Sequence, residues 1–395
     1  MNHKTHSGKV KFLKRYLDTI LFVGIIGLFF GYTGTKMGIA NMFSTLMNTA
    51  YKLLMDTVFY IMAIAVLAGA FGKMATEFGL VRILNKIFAP LMRPLYNLPG
   101  VSFLGIVTTY LSDNPAIISL TKERGYLKYF HRVEVPCLCN LGTAFGMGLI
   151  LTTFMTGLGY FKEALIGNLG AVIGSIISVR IMKYRVKKYF NIEDYSTDID
   201  QKKIENIEER DFLNLKVTPE GTNSFMERFL SSMLEGGKLG VDIGLSIIPG
   251  VVIICTVIML LTFGPADPST GYQGQAFEGV ELLPRIGKFL SPIIKPLFGF
   301  KSPEAIAFPI TALGAVGAAL SLVPKFLAEN IIGGNEIAVF TAMGMCWSGF
   351  LSTHVAMMDA LNHRKLISKA ITSHFLGGLA AGIAANFIYK FFTLI

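Results

Sequence analysis

Long apolar runs alternate along this chain with short polar or basic stretches. Runs around Leu21 to Tyr32, Val58 to Gly72, Cys137 to Leu158, Ile243 to Leu261 and Ile371 to Ile388 approach or reach the roughly 20 residues a helix needs to cross about 30 Å of hydrocarbon. Two stretches break the pattern. Gly79 to Leu95 is amphipathic and ends with Pro90 and Pro94, which predicts a helix lying in the membrane interface. Pro99 to Leu120 is apolar but interrupted in its middle by Ser112-Asp113-Asn114-Pro115, which predicts two helical arms with a break between them.

The pattern occurs twice. Leu46-Met47 through Lys52 to Asp56 matches Ser232-Met233 through Lys238 to Asp242, an offset of 242 − 56 = 186. Ala89-Pro90-Leu91-Met92-Arg93-Pro94-Leu95 matches Ser291-Pro292-Ile293-Ile294-Lys295-Pro296-Leu297 at 291 − 89 = 202. The polar, Lys/Arg-free loop Gly264 to Gly279 accounts for the step of 16. The later offset then holds for Ser119-Leu120 with Ser321-Leu322, Glu134 with Glu336, and Gly142 with Gly344. Gly170 and Gly174 recur as Gly378 and Gly382, pairs of small residues four apart that let helices approach closely. Three regions follow: residues 1–185 (first span plus first repeat), a polar mixed-charge linker at 186–224, and residues 225–395 (second repeat).

Composition and charge turn this pattern into a topology. Of 395 residues, 52% are hydrophobic and only 16% charged, against about 25% charged in soluble domains. The net charge of +10 sits in loops beside the apolar runs, at Lys9 to Arg15, Lys122 to Arg132, Arg180 to Lys188 and His363 to Lys369. Basic residues flanking spans stay on the cytoplasmic side, so the charge reads as orientation and not as a nucleic-acid surface. The segment after Lys14-Arg15 is expected to be a retained first span, with the N-terminus inside. Full crossing by Pro99 to Leu120 would place two basic loops outside; a re-entrant hairpin places none there. The first repeat then makes three true crossings, an odd number, so the second repeat begins on the opposite side. The expected fold is an all-α polytopic membrane protein of two inverted-topology repeats, each with an interfacial helix, a re-entrant hairpin and transmembrane helices, seven crossings in all.

Broken helices at membrane depth need protein or water to satisfy their backbone, and a buried aspartate needs a cavity, an ion or a partner. The first tip offers Thr108, Thr109, Ser112, Asp113 and Asn114; Asp113 is a candidate for cation coupling, or a simple cap for the helix that starts at Pro115. The second tip is glycine-rich and offers Thr311, Gly314, Gly317 and Ser321. The spans that follow add Asn140 and Thr143 in one half and Trp347, Ser348, Ser352, Thr353 and His354 in the other. An imidazole in a span is a candidate proton relay, so His354 joins Asp113 as an ion-coupling candidate, with Na+ or H+ as the ion. Asp56 and Asp242 read as charges stabilised by the N-terminal ends of their spans. Cys137, Cys139, Cys255 and Cys346 make no zinc pattern and read as buried small hydrophobes. No phosphate-cradling or nucleophile-elbow motif occurs, so neither an enzyme nor an ATP-driven pump is expected, and no cofactor.

At the repeated prolines (Pro90, Pro94; Pro292, Pro296), and at Tyr110-Leu-Ser-Asp-Asn-Pro-Ala-Ile-Ile-Ser-Leu120 followed by a short basic loop and a Gly/Thr-rich span, the chain resembles the nucleoside-recognition or gate-domain membrane proteins. That family includes the concentrative nucleoside transporters and the membrane part of ferrous-iron transport protein B. The resemblance implies an inverted-repeat core with two hairpins around a central site, often in homo-oligomers, and places the nucleoside transporters' first-tip polar cluster at Ser112, Asp113 and Asn114. Pro115 departs from the nucleoside-transporter pattern and is similar to the Pro-Ala-Ile stretch of the iron transporter, whose nucleotide-binding part this chain lacks. The reading is a secondary transporter, ion-coupled or facilitated, of a small polar solute such as a nucleoside or small organic anion, in a bacterial inner membrane. A non-transporting scaffold or sensor and an ion or metal permease are the alternatives.

Overall fold

The computed structural model describes residues 3–112, 116–122, 126–191 and 224–394; Asp113, Asn114 and most of the linker lie outside these. Among the described residues the protein is helical throughout and forms no strand, only an isolated bridge between Asp267 and Gly271. Six helical stretches are long and apolar enough to cross a bilayer: Tyr16–Met37, Ile39–Glu77, Cys137–Gly157, Phe161–Phe190, Phe225–Thr262 and Arg364–Leu394. The seventh expected crossing corresponds to two shorter helices, Gly334–Cys346 and Phe350–Ala360, jointed at Gly349 with its positive φ. The chain falls into two compact units, Met1–Lys52 with Thr256–Leu282, and Leu53–Cys255 with Leu283–Ile395.

In the smaller unit, α1 (His3–Met37) and α2 (Ile39–Lys52) pack with α11 (Thr256–Thr262) around Met37, Met42, Leu260 and Val280. Ile20, Phe22 and Leu28 of α1 point outward and are about two-thirds to three-quarters exposed, an arrangement suited to lipid and not to water. The polar loop is pinned by Glu278, a fully buried carboxylate that accepts the backbone N–H groups of Gln273, Gly274 and Gln275 at 2.9–3.2 Å. Thr49 accepts the Phe277 N–H at 2.8 Å, and Asn41 and Asn48 donate to the carbonyls of Tyr272 and Gly274. A carboxylate has only acceptors, whereas an amide would turn an N–H group toward these donors. We predict that Glu278→Gln loosens this loop by about 2–3 kcal/mol, with faster hydrogen exchange at the amides of 273–275. Unchanged exchange there would show that the carboxylate is not the anchor.

In the larger unit the two halves carry similar runs of elements, with the π turn before the long helix in the first and after it in the second. The first half has a π-helical turn (Leu53–Val58), α3 (Phe59–Glu77), α4 (Leu80–Tyr96), α5 (Phe103–Ser112), α6 (Ala116–Lys122), α7 (Cys137–Thr143), α8 (Gly148–Gly157) and α9 (Phe161–Phe190). The second has α10 (Phe225–Pro249), another π turn (Gly250–Cys255), α12 (Leu282–Phe298), α13 (Ala307–Gly314), α14 (Val316–Leu320), α15 (Val323–Ala328), α16 (Gly334–Cys346), α17 (Phe350–Ala360) and α18 (Ile367–Leu394). Helices α4 and α12 are 17 residues each and each carries two exposed prolines in its C-terminal half, where each proline leaves one carbonyl four residues back without its N–H partner.

Two long pairs hold the unit together. Gly69 of α3 meets the carbonyl of Gly236 on α10, and Gly240 meets that of Ala65, so these helices run antiparallel with backbones nearly touching. Helices α9 and α18 do the same through Gly170 against Ala381 and Ala385, and Gly174 against Gly377. Without a hydrophobic drive between helices in lipid, such close approach is what dispersion needs. Gly378 and Gly382 allow close packing as expected, receiving the Trp347 ring and Met343 of α16, while the small stripe that meets α9 is Gly377, Ala381 and Ala385. One expectation changes here: Asp56 and Asp242 do not sit at helix N-termini. Asp56 lies in the π turn within Ile39–Glu77 and Asp242 deep inside α10, beyond the first turn where a helix dipole acts.

Candidate functional site

Helix α5 ends at Ser112, and α6 resumes at Ala116 and packs back on α5, with Ile117 filling the space beside Gly105. The end of α5 is held from two sides. Gly72 of α3 lies so near the Leu111 carbonyl that a β-carbon there would sit 2.3 Å from the oxygen. On the other side the Tyr110 ring covers Gly148, and its hydroxyl bonds to Thr152 at 3.1 Å, which also receives Asn168 at 2.8 Å. Beside this end lies a cavity of about 200 Å³, lined by Gly72, Lys73, Thr76, Thr108, Tyr110 and Met147 among others. Thr108 bonds back to Leu104 at 2.6 Å, and Thr109 is buried with its hydroxyl unpartnered among the described residues. Asp113 and Asn114 lie outside the described residues, as does the side chain of Ser112. Leu111 and Thr108 of α5 therefore border space that Lys73 and Thr76 make polar.

The second break is tighter. Ala315 alone is extended (φ −160°, ψ 112°) between α13 and α14. It rests on the second π turn: Cys255 donates its S–H to the Ala318 carbonyl at 2.8 Å, and Gly317 meets Ile247 at a distance no side chain would permit. Thr311 and Ser321 return their hydroxyls to Ala307 and Ala318 of their own helices, and Gly314 is exposed with room for a side chain. The two π turns touch each other; such turns widen a helix by one residue and free a carbonyl, and recur at functional sites.

A third grouping is a polar network sealed inside the larger unit. Asn140 donates to Ser178 at 3.0 Å and to the Ala370 carbonyl, Ser178 to His374 Nδ1 at 2.8 Å, and His374 Nε2 to the Cys346 carbonyl. These partners fix the His374 tautomer, since a carbonyl can only accept. His354 stands next to it, ring centroids 4.8 Å apart, and gives its Nδ1 proton to the Phe350 carbonyl. Its Nε2 is then an acceptor, buried and unpartnered among the described residues. Thr143 bonds back to Cys139; Ser348 is buried, Thr353 half-buried and Ser352 exposed. Trp347 stacks on Phe375 at 5.6 Å and lines a separate apolar crevice of about 300 Å³ with Phe298, Phe300 and Met343.

The structure thus brings Asn140 and His354 to one network and Thr108 to the cavity beside the first break. It adds Ser178, His374, Lys73, Thr76 and Tyr110, which composition and spacing did not single out; only His374, as a histidine within a span, carried a signal. No protein-family model matches the chain, and no curated protein matches it in sequence. Solved structures do. A doubly substituted form of CNTnw in an outward-facing state aligns with 98% of this chain and 87% of its own at 11% identity and a TM-score of 0.50. A singly substituted form in an intermediate state aligns over the same shares at 13% identity and a TM-score of 0.49. These neighbours are concentrative nucleoside transporter structures, and at such identity the likeness is one of fold.

Proposed function

We propose that a chain with this fold, and with a helix that stops at polar residues beside a cavity, is a secondary transporter moving a small polar solute across a membrane by alternating access. The observation that carries the reading is the cavity beside α5: Thr108, Thr76 and Lys73, the last paired with Glu235 at 3.2 Å, line one space with Tyr110 and Leu111, as a site for a polar solute requires. The antiparallel pairing of α9 with α18 supports the inverted topology, because both close their halves. On this reading α5 with α6, and α13 with α14, are re-entrant hairpins entering from opposite faces, and they gate the site in turn. His354 fits the proton-coupling role, since its bare Nε2 can take a proton without breaking an existing bond.

A thermal-stability screen of the purified protein against nucleosides, dicarboxylates, amino acids and divalent cations should find a ligand, since binding the folded state raises the melting point. Vesicles containing the protein should accumulate that solute, and Asp113→Asn should lower uptake at least about tenfold, the equivalent of losing one charge-assisted hydrogen bond. Uptake no greater than in empty vesicles for every stabilising ligand would favour the scaffold reading instead.

A further inference from the structure

At the far end of the larger unit, the loop before α7, the end of α9 and the α17–α18 connection enclose an open cavity of about 570 Å³. Among the described residues its walls carry Arg132, Arg364 and Lys365 against one carboxylate, Asp359, an excess of 3 − 1 = 2 positive charges, with His363 among them. Asp359 is already engaged by Arg364 at 3.4 Å, while neither Arg132 nor Lys365 ion-pairs with a described residue. Arg132 is not free to wander: its guanidinium lies over the Phe190 ring, 4.6 Å from the centroid, and the His363 ring stands 6.2 Å from the same phenylalanine. A planar cation held on an aromatic face keeps its N–H fork for an outside acceptor. Exposed Tyr184 and Tyr189 lead up to the cavity, as aromatic side chains do at the level of lipid headgroups.

We propose that this cavity binds an anionic phosphate group, either the headgroup of an acidic phospholipid or a soluble phosphate, with Arg132 and Lys365 as its principal ligands. The site is distinct from the cavity at α5 and does not depend on the transport reading. Basic pockets between membrane helices bind such headgroups because each cation near them contributes about 1 kcal/mol. His363 gives the site a pH signature. Burial, and after it the charge of Arg132, holds its imidazole below the usual histidine range. Among the described residues the groups facing the cavity with it are Arg132, Tyr189, Asp359, Arg364 and Lys365, with Phe190 and Asn362 between. A bound anion offsets the neighbouring positive charge and favours the imidazolium, so binding takes up a proton and strengthens as the pH is lowered.

The test uses the full chain in neutral detergent, with native mass spectrometry after exposure to mixed phosphatidylglycerol and phosphatidylcholine, and thermal shifts with inorganic phosphate and with sulfate. Sulfate is included because it does not titrate near pH 6.5. Retention of phosphatidylglycerol over phosphatidylcholine assigns a lipid headgroup; stabilisation by phosphate and sulfate without lipid preference assigns a soluble anion. In either case R132Q/K365Q should weaken binding about 30-fold, two cations at about 1 kcal/mol each. Asp359→Asn, which removes the one carboxylate among the described lining residues, should tighten it about fivefold, a gain that a misfolded variant cannot mimic. Equal behaviour of wild type, R132Q/K365Q and D359N toward all three probes overturns the proposal.

Discussion

Replacing Glu134 with Ala is expected to destabilise the protein by about 3–5 kcal/mol, because it strands a buried cation. Glu134 is fully buried and accepts Lys183 at 3.1 Å, Arg93 at 3.0 Å and the backbone N–H of His131 at 3.0 Å. The Lys183 side chain is 5% exposed and Arg93 is half-exposed, so only the arginine can turn to water when the carboxylate goes. Lys183 would keep the Asn97 carbonyl but lose the one described carboxylate it touches. Lys183→Met should be milder, since Arg93 still neutralises Glu134, and E134Q/K183M should recover most of the loss, as paired neutral replacements of buried ion pairs do. Thermal unfolding of the four proteins measures this; a double variant no better than E134A means that the carboxylate's backbone bond, and not the ion pair, holds the site. Glu336, 202 residues on, accepts the N–H groups of Lys301 at 2.7 Å and Gly333 at 2.9 Å without a described cation, so Glu336→Gln should cost less, about 1–3 kcal/mol.

That pair shows what was legible in the sequence. The offset of 202 aligns α4 with α12 at both ends (282 − 80 = 298 − 96 = 202), because paired prolines and an amphipathic period are local signals that survive without any knowledge of neighbours. Asn114-Pro115 is a local signal of the same kind, and it lies outside the described residues. The polar network was not. Asn140 finds Ser178 at a separation of 38 residues and Ala370 at 230, and Ser178 finds His374 at 196. No spacing rule relates such positions; the close contact of α9 with α18 does. Glycine pairs were legible as a tendency to pack closely but not as a direction: no spacing says that Gly378 and Gly382 meet Trp347 and Met343 while Gly377 and Ala381 meet α9. The π turns left no trace at all, since an extra residue in a helical turn keeps the same apolar composition.

The largest functional effect is expected from Gly72→Ala. A single methyl at this position meets the Leu111 carbonyl at 2.3 Å, a backbone atom one residue from the end of α5, so the helix end must move and with it the wall that Leu111 and Thr108 give the cavity. Overpacking of this kind costs about 1–3 kcal/mol, which a fold with extensive helix pairing can absorb. A site that holds its ligand by helix-end geometry cannot absorb it, because a displacement of about 1 Å is enough to lose about a hundredfold in a positioned reaction or transfer. G72A is therefore expected to keep a cooperative thermal transition, lowered by several degrees, while uptake of the stabilising solute falls by at least about tenfold. Gly24→Ala is the control: its added methyl would meet nothing within 4 Å, and it should change neither quantity. If G72A loses no more uptake than its melting temperature explains, or no more than G24A, the end of α5 is a structural joint and the solute passes elsewhere.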